Sequence, residues 1–325
     1  MESKIKVLTQ FAQELQKLAS DADFLYRVEG QNNWFTPEFV QLSIENIRAN
    51  YLEEKKLRAW LAQYPIEEKW HVALILAGNI PLVGFHDILC AYFSASQVSI
   101  KLSSKDRILT TAVLDIWSRL DSEWAQRMQI IERIVSCDKI IATGSNNSYN
   151  YFEHYFKKFK TILRKNRTSI AVVPKNMTDE ELNFLIDDLF LYYGLGCRNV
   201  SKLWIEKGFE LGRIFEASEK YKRYFQHSKY MNNYDYQRTL LLLNKIEHLS
   251  NDFLMLKPDK SIFSAISVIH YELYENENEI KADLETHKED IQCILGRDYI
   301  PYGKGQSPRL ADYADGVDTM QFLLS

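Results

Sequence analysis

His71-Val-Ala-Leu-Ile-Leu-Ala77, closed by Gly78, decides the fold. A continuous apolar run of this length, stopped by a glycine, reads as a strand buried on both faces, as in a parallel sheet. Residues 81–93 then turn helical, and Gln97-Val-Ser-Ile-Lys101 is a second short strand. Residues 104–120 read as a helix with Asp106 in its first turn. Lys139-Ile-Ile-Ala-Thr143 is a third strand, and Gly144-Ser-Asn-Asn147 opens a third helix over residues 148–159. Strands alternating with helices predict a doubly wound α/β sheet.

The pattern extends both ways. Ile5, Leu8, Phe11, Leu15 and Leu18 recur at helical spacing, and Leu42, Ile44, Ile47, Tyr51 and Leu57 repeat the habit over residues 39–61. Ser169-Ile-Ala-Val-Val173 is a fourth buried strand. Thr178 and Glu181 form a capping box that opens a helix over residues 182–193. That helix stops at Gly194-Leu-Gly-Cys-Arg-Asn199, and residues 200–206 are a strand again. Residues 216–249 look helical, 263–274 strand-like and 275–289 a charged helix or a solvated face. Residues 302–308 form a loop, and 316–324 a short terminal strand.

Composition bounds the function. The chain has 325 residues, 46% of them hydrophobic, enough for two lobes with large cores. With 40 Lys+Arg against 44 Asp+Glu, the net charge of −4 argues against duplex nucleic acid as a partner. No apolar run approaches the roughly 18 residues of a membrane span, and residues 1–16 lack a signal peptide's apolar stretch. Four scattered cysteines do not make a disulfide scaffold, which points to the reducing cytoplasm. No Cys-x-x-Cys or Cys/His cluster exists, so no metal site is expected.

Four stretches could carry chemistry. Cys197 follows two close glycines, Gly194 and Gly196, at a helix end, where the backbone permits close approach and Arg198 favours a thiolate. A buried structural thiol in a tight turn is the alternative; for Cys90, Cys137 and Cys293 that plain reading prevails. Asn79, in Ala77-Gly-Asn-Ile-Pro-Leu82, follows a buried strand, and its amide suits an oxyanion hole. A turn Asn before a helix-starting Pro explains it equally. Thr143-Gly-Ser-Asn-Asn147 is a strand-to-helix junction with free N–H groups that suit an anion. Lys101-Leu-Ser-Ser-Lys-Asp106 sets a cation and two hydroxyls, Ser103 and Ser104, at a strand end, suited to ribose or phosphate or to an ordinary polar loop. His86 and Asp87 lie one turn into the helix after Asn79, and His86 reads as a packing residue.

The order of these signals resembles the aldehyde dehydrogenase superfamily. More closely, Ala77-Gly-Asn-Ile-Pro-Leu-Val-Gly-Phe-His-Asp87, Lys101-Leu-Ser-Ser-Lys-Asp106, Ala142-Thr-Gly-Ser-Asn-Asn147 and Gly194-Leu-Gly-Cys-Arg-Asn-Val-Ser-Lys202 resemble the acyl-CoA reductase family of LuxC type, the fatty-acid reductases. Tyr302-Gly-Lys-Gly-Gln-Ser-Pro-Arg309 and Tyr313-Ala-Asp-Gly-Val-Asp318 fit its C-terminal end. The match covers residues 70–205 and 299–325. The resemblance implies an aldehyde-dehydrogenase-like α/β fold: a Rossmann-type doubly wound cofactor domain within residues 1–167, a trimmed α/β catalytic domain over 168–311, and a C-terminal strand over 312–325 for oligomer contact. Cys197 is then the nucleophile and Asn79 the oxyanion donor. Lys101, Ser103, Ser104, Gly144 and Ser145 bind the cofactor.

In that resemblance the dehydrogenases carry a Glu base just before the strand at residues 169–173. Here Arg164-Lys-Asn-Arg167 stands in that region. A base that activates water would hydrolyse an acyl-enzyme, and a reductase must not do so. The implied reaction is reduction of a fatty acyl-CoA, or another acyl thioester, to the aldehyde. NADPH is expected, with NADH admitted, because the uncharged Ser104 stands where NAD-preferring relatives often place a Glu. A homo-oligomer and an acyl-transfer partner protein are also implied. Two other readings stay open: a cofactor-independent cysteine acyltransferase or thioesterase, and a non-catalytic interaction subunit.

Overall fold

In a computed structural model the described residues are all but Val135 and Ser145, with the side chains of Asn146, Asn147, Ser148, Asn150 and Glu277 also set aside. Two compact units divide the chain: Met1–Asn166 with Ser307–Ser325, and Arg167–Gln306.

The first unit opens with four helices, α1 (Glu2–Ala19), α2 (Ala22–Gln31), α3 (Pro37–Asn50) and α4 (Glu54–Leu61). The helix expected over residues 39–61 is two, because Glu53 caps a fresh start, its carboxylate accepting from the Lys55 and Lys56 N–H groups. Then β1 (Trp70–Ile75), α5 (Phe85–Ser94), β2 (Ala95–Lys101), α6 (Arg107–Leu120), α7 (Ser122–Arg127), β3 (Met128–Ile130), β4 (Lys139–Thr143), α8 (Asn146–Tyr155) and β5 (Lys160–Arg164) alternate. The strands form one parallel sheet ordered β3-β2-β1-β4-β5. The helices bury an aromatic core against it. Trp117 stacks on Phe11 at 4.8 Å and Phe85 at 5.8 Å, with Tyr92 4.7 Å and Trp124 5.4 Å away. Such contacts add to the burial of large rings.

The second unit holds β6 (Thr168–Val173), α9 (Asp179–Phe190), β7 (Val200–Glu206), α10 (Gly212–Ser218), α11 (Ser228–Leu243), β8 (Leu249–Ser250), β9 (Met255–Pro258), β10 (Val268–Tyr274), α12 (Glu277–His287) and β11 (Ile291–Leu295). Their sheet runs β11-β6-β7-β10-β9-β8, parallel except for the β8–β9 pair. The capping box at Thr178 forms as read, with both reciprocal bonds to Glu181. The helix expected over residues 216–249 breaks at His227, whose ring nitrogen accepts the Tyr230 N–H and starts α11.

Residues 316–324 are not a strand. Asp318 accepts the Gln321 N–H and caps α13 (Thr319–Leu324). Met320 and Leu323, three apart on one helical face, are buried in the first unit's core. Lys139, buried on β4, donates to the Phe322 and Leu323 carbonyls at the carboxyl end of α13. These are the acceptors a helix end leaves unsatisfied. The terminal segment thus completes the first unit. Among the described residues no helix is long and apolar enough to cross a membrane.

Candidate active site

In the first unit, parallel β1, β2 and β4 release the chain at one sheet edge. β1 leads to Gly78 and Asn79, β2 ends at Lys101 ahead of Ser103 and Ser104, and β4 leads to Gly144. The structure therefore brings Asn79, Lys101, Ser103, Ser104 and Gly144 to the carboxyl edge of one doubly wound sheet, where such folds bind ligands. Ser145 lies outside the described residues.

Two of these loops interlock. A Cβ on Gly78 would lie 2.4 Å from Ser103 Oγ and 3.3 Å from Asp106 Cβ, so only glycine fits. Leu82, in the left-handed region at φ 55°, donates its N–H to Asp106 Oδ2 at 2.9 Å. Burial pushes the Asp106 carboxyl up to about 7, against the Leu82 N–H and Thr110 bonds that favour its charge. Ser103, rather than Ser104, caps the short 3₁₀ turn Ser104–Asp106, accepting the Lys105 N–H at 3.3 Å. Ser104 is exposed, and its carbonyl accepts from Gln31. Lys101 Nζ donates to the Glu132 carbonyl at 2.8 Å. Glu132 escaped the sequence reading because it lies beyond the three-residue β3; its carboxylate pairs with Arg107. The Gly144 N–H donates to the Arg164 carbonyl at 3.4 Å.

His86 and Asp87 are built into the first unit's packing. The His86 ring lies 5.1 Å from Tyr51, 6.0 Å from Trp60 and 5.3 Å from Tyr313, with Nε2 3.0 Å from the Leu310 carbonyl. Asp87 receives both terminal nitrogens of Arg164, and Arg164 also donates to Thr319 Oγ1 at 3.1 Å.

In the second unit, Cys197 lies between the end of α9 and the start of β7, half-buried. Tyr192, Tyr193 and Gly194, at φ 54°, 56° and 74°, are left-handed in succession. Each non-glycine residue there carries a conformational penalty of roughly 1–2 kcal/mol, so neighbouring contacts must impose the path. Asn199 supplies them. It is 2% exposed, accepts the Gly196 N–H at 2.8 Å, and donates to the Asp188 and Leu191 carbonyls at 3.0 and 2.8 Å. Ser169 Oγ donates to the Cys197 carbonyl at 2.9 Å. Burial pushes the Cys293 thiol up, while the nearby Arg198 guanidinium and the Ser169 hydroxyl pull it down. The other thiols are also disfavoured as thiolates. Burial raises Cys90 well above the usual range and, with Asp138, lifts Cys137 to about 11. Among the described residues no three His, Cys, Asp or Glu side chains gather as metal ligands.

No family model and no curated protein matches this sequence. The fold is aldehyde-dehydrogenase-like. Glyceraldehyde-3-phosphate dehydrogenase GapN of Methanocaldococcus jannaschii, solved with NADP, is similar at a TM-score of 0.65 and 13% identity, over 90% of this chain and 75% of that one. Aldehyde dehydrogenase 21 of Physcomitrella patens, solved with succinate, matches at 0.64 and 13%, over 91% and 73%. Staphylococcus aureus AldH in a substrate-bound state matches at 0.56 and 17%, over 87% and 73%.

Proposed function

We propose that this protein reduces a fatty acyl-CoA, or a related acyl thioester, to the aldehyde through an acyl group carried on Cys197. The observation that carries the reading is the state of Arg164. The resemblance puts a water-activating Glu in this region, and here a guanidinium is sealed against Asp87 and Thr319 instead. A chain that lacks that base protects an acyl-cysteine from hydrolysis.

In this reading the Cys197 thiolate attacks the thioester carbon, and the Asn79 amide with a backbone N–H holds the oxyanion. The C–S bond to CoA breaks, its electron pair leaves on the CoA thiolate, and the acyl group stays on Cys197. A bound nicotinamide would supply the hydride to the acyl carbon; the C–S bond to Cys197 then breaks, its electron pair returns to the Cys197 sulfur and the aldehyde leaves. The residues at the carboxyl edge suit such a dinucleotide: Lys101, Ser103, Ser104 and Gly144 follow parallel strands at the edge where doubly wound sheets take one, and structural relatives were solved with NADP and with NAD+. Lys101 and the uncharged Ser104 favour the extra phosphate of NADPH, and the nearby Glu132 carboxylate is taken by Arg107. The same reading makes the protein a cytoplasmic homo-oligomer that receives acyl groups from a transfer protein.

The test mixes the protein with acyl-CoAs of graded length, with and without NADPH, and follows intact mass and trapped aldehyde. An adduct on Cys197 that persists without NADPH and becomes aldehyde with it supports the reading. Rapid release of free acid without cofactor assigns a thioesterase, and absence of any adduct removes catalysis by Cys197.

A further inference from the structure

The groups that hold the Cys197 turn meet on one buried side chain. Asp188, in the last turn of α9, is fully buried. Its carbonyl accepts Nδ2 of Asn199, whose Oδ1 in turn accepts the Gly196 N–H next to Cys197. Its carboxylate accepts two backbone N–H groups of the loop after β11, Gly303 and Gly305, the latter at 2.9 Å. Tyr302 secures the start of that loop by donating its hydroxyl to the Val172 carbonyl.

The loop is shaped for this grip. Gly303 takes φ 78°, and a Cβ there would meet Phe184 at 3.1 Å. A Cβ on Gly305 would lie 2.8 Å from Asp188 Oδ1 and 3.2 Å from the Arg198 carbonyl. The loop backbone therefore presses on the peptide just past Cys197, while Asp188 holds it from the other side. The left-handed run at residues 192–194 makes only short i→i+3 bonds, such as the Leu195 N–H to the Tyr192 carbonyl at 3.1 Å, and its backbone carries a conformational penalty that contacts from outside must offset.

We infer that Asp188 is the positioning residue of the Cys197 turn: its carboxylate fixes the 303–305 loop against the backbone after Cys197, and its carbonyl fixes the turn through Asn199. Asp188 touches no substrate in this assignment; it acts through Cys197, and it rests on the reading of Cys197 as the nucleophile. Each Asp188 oxygen accepts one of the two N–H groups, whereas an amide offers one oxygen and turns an N–H₂ toward the second.

The experiment compares wild type with Asp188→Asn and with Gly305→Ala, which pushes the loop from the opposite side. Hydrogen exchange of peptides covering residues 194–199 is measured alongside kcat and KM for aldehyde formation. Both variants are expected to exchange the 194–199 amides at least tenfold faster, with β6 and β7 unchanged, and to lose about tenfold or more in kcat with KM within twofold. Unchanged exchange, or faster exchange with kcat intact, overturns the assignment. So does a loss confined to KM. Should wild-type Cys197 take no acyl group, the nucleophile reading fails by itself, and the exchange comparison still decides whether Asp188 holds the turn.

Discussion

The Arg164 guanidinium and the Asp87 carboxylate form a two-bond ion pair inside the first unit, each side chain 7% exposed. The pair joins edge strand β5 to α5, and through Thr319 it also holds α13. Removing one member of such a pair strands a buried charge, at a cost of about 3–5 kcal/mol. Arg164→Met is therefore expected to lower the denaturation midpoint sharply. Arg164→Met with Asp87→Leu should be less damaging than either single change. Chemical denaturation of the four proteins checks this, and additive losses would show that the two side chains act separately.

Cys197 should be the first cysteine alkylated. Cys90 and Cys293 are buried and the Cys137 thiol is pushed up to about 11, whereas Cys197 is half-exposed in a turn that follows two glycines. Iodoacetamide at neutral pH followed by peptide mapping gives the order. Cys197→Ala should abolish aldehyde formation, and the other three alanine variants should keep most of it. Substantial turnover by Cys197→Ala would sink the mechanism.

Asn79→Ala should lower kcat by on the order of 100-fold with little change in acyl-CoA binding, the expected loss for one oxyanion donor. Steady-state kinetics separates the cases: an effect confined to KM would mean that Asn79 only shapes the loop.

Cofactor choice is expected to follow charge at the end of β2. Wild type should use NADPH with higher kcat/KM than NADH. Ser104→Glu should reverse part of that preference, because a carboxylate repels a 2′-phosphate and accepts from a 2′-hydroxyl. Equal use of both cofactors by wild type, or no shift in the variant, would count against the assignment.

The contributions of Asp106 and Asp188 to stability should fall as pH rises from about 4 to about 7. Burial raises the carboxyls of both Asp106 and Asp188 from 3.8 to about 7 in the folded state. A raised carboxyl contributes stability that is fully present below the unfolded value and is lost as pH climbs through the folded one. Each contribution is on the order of a few kcal/mol, at about 1.4 kcal/mol per pH unit. Asp106→Asn keeps an acceptor for the Leu82 N–H and removes one titration. Urea midpoints across this range should decline less steeply in that variant, and parallel curves would refute the role given to Asp106.

The strands the sequence revealed are the central ones. β1, β2 and β4 in one sheet, and β6, β7 and β10 in the other, pair along both sides, and β1 reads as a continuous apolar run; β9, only four residues long, also pairs along both sides and escaped the reading. β3, β5, β8 and β11 are all edge strands, and every one escaped the reading. An edge strand pairs along one side only, so its residues are mixed, as in Lys160-Thr-Ile-Leu-Arg164. The terminal helix was misread because Val317 and the Phe322-Leu-Leu324 run suggest a strand, while the cap at Asp318 and the Met320–Leu323 spacing decide for a helix. In the candidate site, residues beside strand ends were legible because a parallel sheet delivers them to one edge. The supporting groups were not: Asp106 under Leu82, Asp188 under Gly305 and Arg164 against Asp87 meet across distances in sequence that no local pattern encodes.

The docking of α13 has a consequence for how the protein is made. Residues 307–325 are made after the second unit, yet the first unit needs them. Until they arrive, Lys139 lacks the helix-end carbonyls that accept its N–H bonds, in a setting where burial already pushes its ammonium down to about 8. The hydroxyl of Thr319 is likewise missing from Arg164. The second unit, Arg167–Gln306, is contiguous and emerges whole beforehand. Order of synthesis and order of maturation are therefore inverted: the half translated first is the half completed last, and a nascent chain stalled before residue 307 would present the chaperone machinery with an unsealed amino-terminal unit.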